Sequence, residues 1–245
     1  MVTVARRKEN LLSSSERISS ETKSEVHPVA ADIRKAEDCD RIIASAVERF
    51  GRLDILVNND GAPPLGLLES FDDAAWAAAV DRNLMSVVRL SRAALPGMIE
   101  RGRGWIITVI SVASFTYSMG NVNYCATKAY QRVFSEALAL EVAGTGVRVQ
   151  ALCPGFTHTE FHQRAGIDMG ALPEWMWLDA PAVVDQAFLH GDAGVGGHDG
   201  ATPAKLAPLS PLSKGADRGA RQREPAGGFF LDSGRYVEIE DARCL

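Results

Sequence analysis

A tyrosine and a lysine four residues apart are the side chains in this sequence best suited to carry out chemistry together. Tyr124 and Lys128 fall in one predicted helix, so their side chains should lie on the same helix face. An ammonium group beside a phenol favours the phenolate and is expected to lower the pKa of Tyr124 toward neutral pH. The pair could then donate a proton to a carbonyl oxygen or remove one from an alcohol. The alternative is a surface tyrosine and lysine that share a helix face without a catalytic role.

Further polar residues come where predicted strands end. Ser111 directly follows the apolar residues 105–110, and Asn58 directly follows residues 53–57. Ligands on parallel sheets bind beyond the carboxyl ends of the strands. We therefore expect one shared crevice at that edge, formed in part by Arg6, Asp32, Asn58, Ser111 and Pro154.

The elements that must position these residues alternate along the chain. Strand-like apolar stretches occupy residues 1–5, 25–30, 53–57, 105–110 and 147–152. Helical stretches follow them, at residues 10–20, 32–50, 71–100 with a break near Pro96, and 121–143. This order predicts right-handed strand–helix–strand units and a parallel sheet covered on both faces. The fold class expected is therefore α/β, a Rossmann-like doubly wound sheet.

Composition narrows the class of protein. The chain has 245 residues and a net charge of −5, which suits one α/β domain and offers no basic surface for nucleic acid or an anionic membrane. No apolar stretch is long enough to span a bilayer, and the first residues carry no signal-peptide pattern. With four dispersed cysteines, we expect a cytoplasmic protein without structural disulfides or zinc. His158 and His162 are four residues apart but no third ligand follows, so no metal site is expected.

The two ends of the chain differ in composition and in hydrophobic periodicity. Residues 1–190 carry the strand and helix pattern, and residues 191–245 are rich in glycine, proline, alanine and serine with almost no periodicity. Such a segment buries too little apolar surface to offset the entropy of ordering it. We therefore expect one domain over residues 1–190 and a low-complexity, disordered tail over residues 191–245.

The order of the polar motifs resembles the short-chain dehydrogenase/reductase family. The family's N-N-A-G, catalytic asparagine, serine, Y-x-x-x-K and P-G-x-x-x-T appear in this order. They correspond to Asn58-Asn59-Asp60-Gly61, Asn83, Ser111, Tyr124 with Lys128, and Pro154-Gly155-Phe156-Thr157-His158-Thr159. The resemblance extends over residues 1–186.

This resemblance implies a role for each matched residue. Tyr124 would be the general acid/base, with Lys128 lowering its pKa and holding the nicotinamide ribose. Ser111 would hydrogen-bond the substrate oxygen, and Asn83 would anchor a water in a proton relay through Lys128. The cofactor would also contact residues at the strand ends, namely Asp32 and Ile33 beside the adenine, Asn58 at the adenosine ribose, and Pro154, Gly155, Thr157 and Thr159 around the nicotinamide. The substrate would be a small carbonyl compound or alcohol, and a homo-oligomer is one of the assembly states left open.

Arg6 and Arg7 bear on the choice of cofactor. They follow the first strand at a place where dinucleotide-binding folds carry either a carboxylate for the ribose 2′-hydroxyl or an arginine for a 2′-phosphate. A guanidinium group binds phosphate through paired hydrogen bonds, so NADP(H) is favoured over NAD(H). The alternative is a solvated basic start of a helix.

One family motif has no counterpart. Residues 1–5 match the second strand of the family, so the glycine-rich T-G-x-x-x-G-x-G loop that receives the pyrophosphate does not occur before Arg6. In the strand order 3-2-1-4-5-6 the absent first strand would be central. We therefore expect two groups of strands with no strand between them, or a direct closure of the two groups.

Two functions remain open at this point. One is NADP(H)-dependent hydride transfer between a carbonyl and an alcohol, and the other is a catalytically inactive, truncated remnant that acts at most as a binding partner. The Trp175-Met176-Trp177 segment could line a substrate pocket or pack its loop onto the core. Asp60 replaces the alanine of N-N-A-G and brings a carboxylate to the cofactor crevice.

Overall fold

Strands and helices alternate through the part of the chain that the computed structural model describes, residues 1–61, 66–117, 119–164, 170 and 172–191. The strands are β1 Val2–Ala5, β2 His27–Ala30, β3 Ile55–Asn58, β4 Gly104–Val109, β5 Val147–Leu152, β6 Phe156–Thr157 and β7 Trp177–Leu178. The helices are α1 Lys8–Thr22, α2 Ala36–Phe50, α3 Asp73–Val80, α4 Ser86–Glu100, α5 Val122–Glu141, α6 Phe161–Arg164 and α7 Ala180–Gly191. The predicted α/β class is confirmed, whereas the predicted tail lies outside the described residues apart from Gly191.

All strand pairs are parallel. Strands β3, β4 and β5 form one sheet, in which Leu56 lies opposite Ile106 and Ile106 opposite Val149. These three side chains are buried, as the near-continuous apolar character of a strand covered on both faces requires. Strands β1 and β2 form a separate pair, with Val4 opposite Val29. The sheet therefore positions the carboxyl ends of β3, β4 and β5 side by side.

No backbone hydrogen bond joins β1 or β2 to β3 among the described residues, so the expected separation of the two groups of strands is confirmed. Strands β1 and β3 both leave apolar side chains exposed. Ile55 and Val57 of β3 are 42% and 51% exposed, and Val4 of β1 is 37% exposed. An unpaired strand edge presents free backbone donors and acceptors, so these two edges are open to pairing with a further strand.

The core lies between the sheet and the helices on one of its faces. Helices α2 and α4 pack together there, and their buried residues include Ile42, Ile43 and Met98. Val47, also on α2, is exposed. Asp32 precedes α2 rather than starting it, because Arg34 binds its carboxylate within the turn before Ala36. Within the described ranges, none of the helices is both long and apolar enough to cross a membrane.

The long helical segment is interrupted at a different place from the one predicted. Pro96 lies inside α4, and the helix continues through it to Glu100. Ala94 and Met98, on either side of Pro96, are buried against the core, and this packing holds the helix together although a proline supplies no amide donor. The interruption falls instead at Asp81–Met85, a π-helical turn between α3 and α4. Such turns are frequent at functional sites, and this one carries Asn83.

Two glycines in the turn between α5 and β5 lend themselves to a test of the packing. Gly144 and Gly146 both have positive φ, +81° and +79°, a conformation that costs other residues about 1–2 kcal/mol. A Cβ on Gly146 would come within 1.9 Å of the backbone oxygen of Gly102, whereas a Cβ on Gly144 would meet nothing within 4 Å. We expect Gly144→Ala to lower the free energy of unfolding by about 1–2 kcal/mol and Gly146→Ala by about 4 kcal/mol or more. Urea denaturation of both variants measures the difference, and equal losses would show that the contact with Gly102 is not close.

Candidate active site

Strand β4 and the start of α5 bring Ser111 and Tyr124 together. The backbone of β4 continues past Ser111 alongside β5, since the Ile110 amide donates to the Leu152 carbonyl and the Val112 amide to the Pro154 carbonyl. The Ser111 hydroxyl accepts a hydrogen bond from the Ala113 amide at 3.1 Å, and this bond fixes its position. The Ser111 side chain also interacts with the Tyr124 phenol and lowers its pKa. A serine and a tyrosine thirteen residues apart thus meet at the carboxyl end of β4.

The pKa of Tyr124 does not move in the direction expected from the sequence. Burial of the half-buried phenol raises its pKa above the usual value, and the hydrogen bond with Ser111 lowers it by less. Lys128 is not among the causes, because its ammonium group is bound by other partners. The expectation that Lys128 lowers the pKa of Tyr124 is therefore wrong for this structure, and the phenol keeps its proton at neutral pH.

Lys128 is one of the most deeply buried charged residues described. Its side chain is 3% exposed, and Nζ donates to the carbonyl of Val109 and to Oε1 of Gln131, both at 3.0 Å. Burial lowers the pKa of Lys128 to about 8, with a smaller opposing effect of the Cys153 and Asp60 side chains. The Lys128 ammonium group can therefore lose its proton just above neutral pH.

Asn83 lies next to Lys128 although the two belong to different elements. The Asn83 side chain is fully buried, and both atoms of its amide lack a hydrogen-bond partner among the described residues. A Cβ on Gly61 would lie 3.1 Å from Asn83 Oδ1 and 3.3 Å from Lys128 Nζ, so the loop after β3 closes over both groups. The structure thereby brings together Asn83, Lys128 and the end of the N-N-D-G segment.

Gln131 is the site residue that the sequence did not reveal. Its Nε2 donates to the backbone carbonyl of Asn83 at 2.6 Å, and its Oε1 accepts from Lys128. The available signal is its spacing, three residues after Lys128 on the same helix face, where a core-facing position usually holds an apolar residue.

The other predicted residues at the ends of β3 and β5 show more local contacts. Asn58 is buried and points its amide toward Ser91 of α4 at 3.5 Å. The backbone carbonyl of Pro154 accepts from Val112, as described above, and the Thr157 hydroxyl donates to the Gly155 carbonyl at 3.2 Å. The Thr159 hydroxyl accepts from the Phe161 amide at 3.3 Å and caps the short helix α6.

The predicted adenosine end forms a second cluster around Asp32. Arg34 binds the Asp32 carboxylate through Nε and Nη2 and is the largest cause of its low pKa, about 2, and the charge of Arg6 adds to the effect. Arg6 and Arg7 are exposed, and neither guanidinium group forms a hydrogen bond or ion pair with a described residue. Ile33 is partly buried against the core. No hydrogen bond connects this cluster to Tyr124 in the described ranges.

The aromatic segment after β5 packs its loop. Trp177 stacks on His158, with ring centroids 4.7 Å apart, and lies edge-on to His162 at 5.2 Å. His158 also contacts the Glu174 carboxylate at 3.1 Å, and the residues described contain no group of three potential metal ligands. Phe161 comes closest to the catalytic candidates, with its ring 6.2 Å from that of Tyr124. Trp177 is therefore a packing residue, whereas Trp175 is 75% exposed.

The lowered pKa of Lys128 predicts how stability depends on pH. The unfolded lysine has a pKa of 10.5 and the folded one a pKa of about 8, so below pH 8 the folded state carries the full cost of a buried charge. Between these values only the unfolded chain binds the proton, and stability rises with pH, by about 3 kcal/mol in total at 1.36 kcal/mol per pKa unit. We expect the difference in free energy of unfolding between the wild type and Lys128→Met to increase by about 3 kcal/mol from pH 8 to pH 10.5. Lys8→Met, on an exposed lysine, is the control, and a difference that stays constant with pH would contradict the prediction.

The family model of the short chain dehydrogenases matches residues 1–169. Among curated proteins, the chain is 38% identical over 130 residues to a putative ketoacyl reductase of Streptomyces coelicolor, covering 52% of this chain and 50% of that protein. It is 42% identical over 124 residues to the 3-oxoacyl-(acyl-carrier-protein) reductase FabG of Escherichia coli, covering 48% and 51%. The chain thus spans about half the length of the curated relatives it matches.

Solved structures are similar over a larger part of the chain. A short-chain dehydrogenase from Sphingobium yanoikuyae in complex with NADPH has a TM-score of 0.70 and 31% identity, covering 78% of this chain and 74% of that one. A gluconate 5-dehydrogenase from Burkholderia cenocepacia in complex with NADP and tartrate has a TM-score of 0.69 and 26% identity, covering 77% and 76%. Since the family model covers more than half of the chain and the parallel sheets agree with it, the chain belongs to the short-chain dehydrogenase family.

Proposed function

We propose that this chain is an NADP(H)-dependent oxidoreductase that interconverts a carbonyl and an alcohol, with Tyr124 as the general acid/base. The single observation that carries the proposal is the interaction of the Ser111 side chain with the Tyr124 phenol, which lowers the pKa of the phenol just beyond the carboxyl end of β4, with the buried Lys128 ammonium group on the same helix as Tyr124. A protonated phenol next to a fixed hydroxyl is an arrangement that can bind and protonate a carbonyl oxygen. The substrate is a small-molecule carbonyl compound or alcohol.

The proton chemistry follows from the surroundings of Tyr124. Because burial raises its pKa, the phenol is protonated at neutral pH and acts as an acid when a carbonyl is reduced. Ser111 orients the substrate oxygen, which receives the Tyr124 proton and becomes the hydroxyl of the alcohol. The carbonyl carbon would receive the hydride that a nicotinamide cofactor would supply when bound. In the oxidation direction Tyr124 must be deprotonated first, so oxidation gains and reduction loses rate as the pH rises through its pKa.

Two parts of the described structure fit a nicotinamide dinucleotide. The buried amide of Asn83, which has no hydrogen-bond partner among the described residues, lies with Gly61 close to Lys128, and the nicotinamide ribose would bind next to this group. Pro154, Gly155, Thr157 and Thr159 would lie along the nicotinamide. At the other end Arg6, Arg7, Asp32, Ile33 and Asn58 would hold the adenosine half. Among the described residues, no glycine-rich loop directly followed by a helix lies between these two parts.

Arg6 and Arg7 support NADP(H) over NAD(H), since two exposed guanidinium groups without ion-pair partners are available for a 2′-phosphate. The NADPH and NADP of the solved neighbours agree with this choice.

The cofactor choice is tested with Arg6→Ala and Arg7→Ala. We expect each to weaken NADPH binding about tenfold, the effect of losing a charge-assisted hydrogen bond, and to leave NADH binding unchanged. Arg17→Ala, which removes an exposed arginine of α1 paired with Glu21, is the matched control. Equal losses for NADPH and NADH, measured by fluorescence titration, would contradict a role at the 2′-phosphate.

A second candidate is a catalytically inactive remnant of such an enzyme, which does not bind the dinucleotide and acts at most as a binding partner. The observation that favours it is the lack of any hydrogen-bonded connection between β1 and β3 among the described residues, across which a dinucleotide would have to bind. Titration with NADPH separates the two candidates, because a ligand that binds only the folded state raises the melting temperature. A clear rise contradicts the inactive candidate, and no rise at millimolar NADPH contradicts the enzyme.

Turnover provides the test of the catalytic role. The purified chain is assayed with NADPH and a panel of ketones and aldehydes, alongside Tyr124→Phe. We expect Tyr124→Phe to lower kcat by about 10²–10⁴-fold, the usual contribution of a general acid, with NADPH still raising the melting temperature. Tyr130→Phe is the control, since Tyr130 is an exposed tyrosine on the same helix, stacked on Phe134. No turnover by a wild-type chain that is folded and binds NADPH would refute the proposal.

A further inference from the structure

Gln131 is a fully buried amide whose two ends contact two different parts of the candidate site. Its side chain is 1% exposed, Oε1 lies 3.0 Å from Lys128 Nζ, and Nε2 lies 2.6 Å from the backbone oxygen of Asn83. The residue belongs to α5, whereas Asn83 belongs to the π-helical turn after α3. Gln131 therefore connects two elements that are 48 residues apart in sequence.

The chemistry of its neighbours determines which way the amide is oriented. An ammonium group only donates hydrogen bonds, and a backbone carbonyl only accepts them. The Gln131 oxygen must consequently face Lys128 and its nitrogen must face Asn83. Turning the amide over would place its NH2 group, a donor, against the donor Lys128 and its oxygen, an acceptor, against the acceptor carbonyl of Asn83. Water cannot compensate for these two contacts in a buried site.

We propose that Gln131 is a positioning residue, which holds the Lys128 ammonium group in place beneath Tyr124 and ties it to the turn that carries Asn83. The proposal rests on the proposed function, and it deepens it by giving the lysine a second fixed partner besides Val109. The connection between Lys128 and Asn83 that the family resemblance assigns to a water is made here directly by a side chain.

The bridge also acts on the charge of Lys128. The titratable groups that face the lysine from other elements are Asp60, in the loop after β3, and Cys153, after β5. Gln131 carries no net charge, but its amide oxygen is partially negative. This oxygen favours the ammonium form of Lys128, which burial disfavours. Removing that oxygen should shift the Lys128 titration to lower pH, and replacing the amide by a carboxylate should shift it to higher pH.

The experiment compares Gln131→Met, which keeps the length of the side chain, with Gln131→Glu. Lysine labelled with ¹³C at Cε and ¹⁵N at Nζ is incorporated, the Lys128 signal is assigned by its loss in Lys128→Met, and its pKa is measured by NMR in each variant. We expect the pKa to fall by about one unit in Gln131→Met, as loss of a charge-assisted hydrogen bond implies, and to rise in Gln131→Glu. Gln150→Met is the control, because Gln150 also donates to a backbone carbonyl, that of Ala187, away from the site.

Shifts of the Lys128 pKa in opposite directions in the two variants support the positioning role. If Gln131 only filled space, the Lys128 pKa would shift in the same direction in both variants or stay unchanged in both. An unchanged Lys128 pKa in Gln131→Met overturns the proposal, and if that variant fails to fold, an unchanged or lowered pKa in Gln131→Glu does so. In the assay, kcat should fall in Gln131→Met. Because the NMR titration needs no turnover, an inactive wild type would refute the proposed function and leave the test of Gln131 valid.

Discussion

The buried ammonium group of Lys128 is the charge around which the site is organised. A charge removed from water must be surrounded by hydrogen-bond acceptors, or the lysine loses its proton instead. The acceptors come from the end of β4, through the Val109 carbonyl, and from Gln131 on the same helix. Gln131 in turn binds the carbonyl of Asn83, so strand β4, helix α5 and the π-helical turn are held at fixed positions by one chain of hydrogen bonds. These three elements supply all four catalytic candidates, Asn83, Ser111, Tyr124 and Lys128.

Burial, rather than charge, then sets the state of Tyr124. The phenol is shielded from water, which raises its pKa, and the Lys128 ammonium group is directed toward Val109 and Gln131 instead of toward the phenol. A protonated tyrosine beside Ser111 fits the proposed protonation of a carbonyl oxygen. Burial also brings the Lys128 pKa to about 8. The pKa values of the two side chains shift in opposite directions for one physical reason, because burial disfavours the charged form of each.

The two groups of strands separate the residues that the proposal assigns to the two halves of the cofactor. Ser111 follows the sheet formed by β3, β4 and β5, and Arg6 and Asp32 follow β1 and β2. Among the described residues no backbone hydrogen bond connects the two sheets, and Val4, Ile55 and Val57 are exposed. Under the proposed function a dinucleotide would contact both sheets, so its affinity would depend on how firmly they are held relative to each other.

The sequence by itself determined the α/β class, the parallel strands and the position of Ser111 at a strand end. Those conclusions depend on periodicity and on the order of strand ends, which are properties of neighbouring residues. Because residues 1–5 match a second strand rather than a first one, the sequence also predicted either two unconnected groups of strands or their direct closure. Only the tertiary structure decided the direction of the Tyr124 pKa, the partners of Lys128, the bridging role of Gln131 and the position of the break before α4. Each of these depends on burial and on contacts between residues far apart in the chain, such as Gln131 and Asn83, and no local pattern records such contacts.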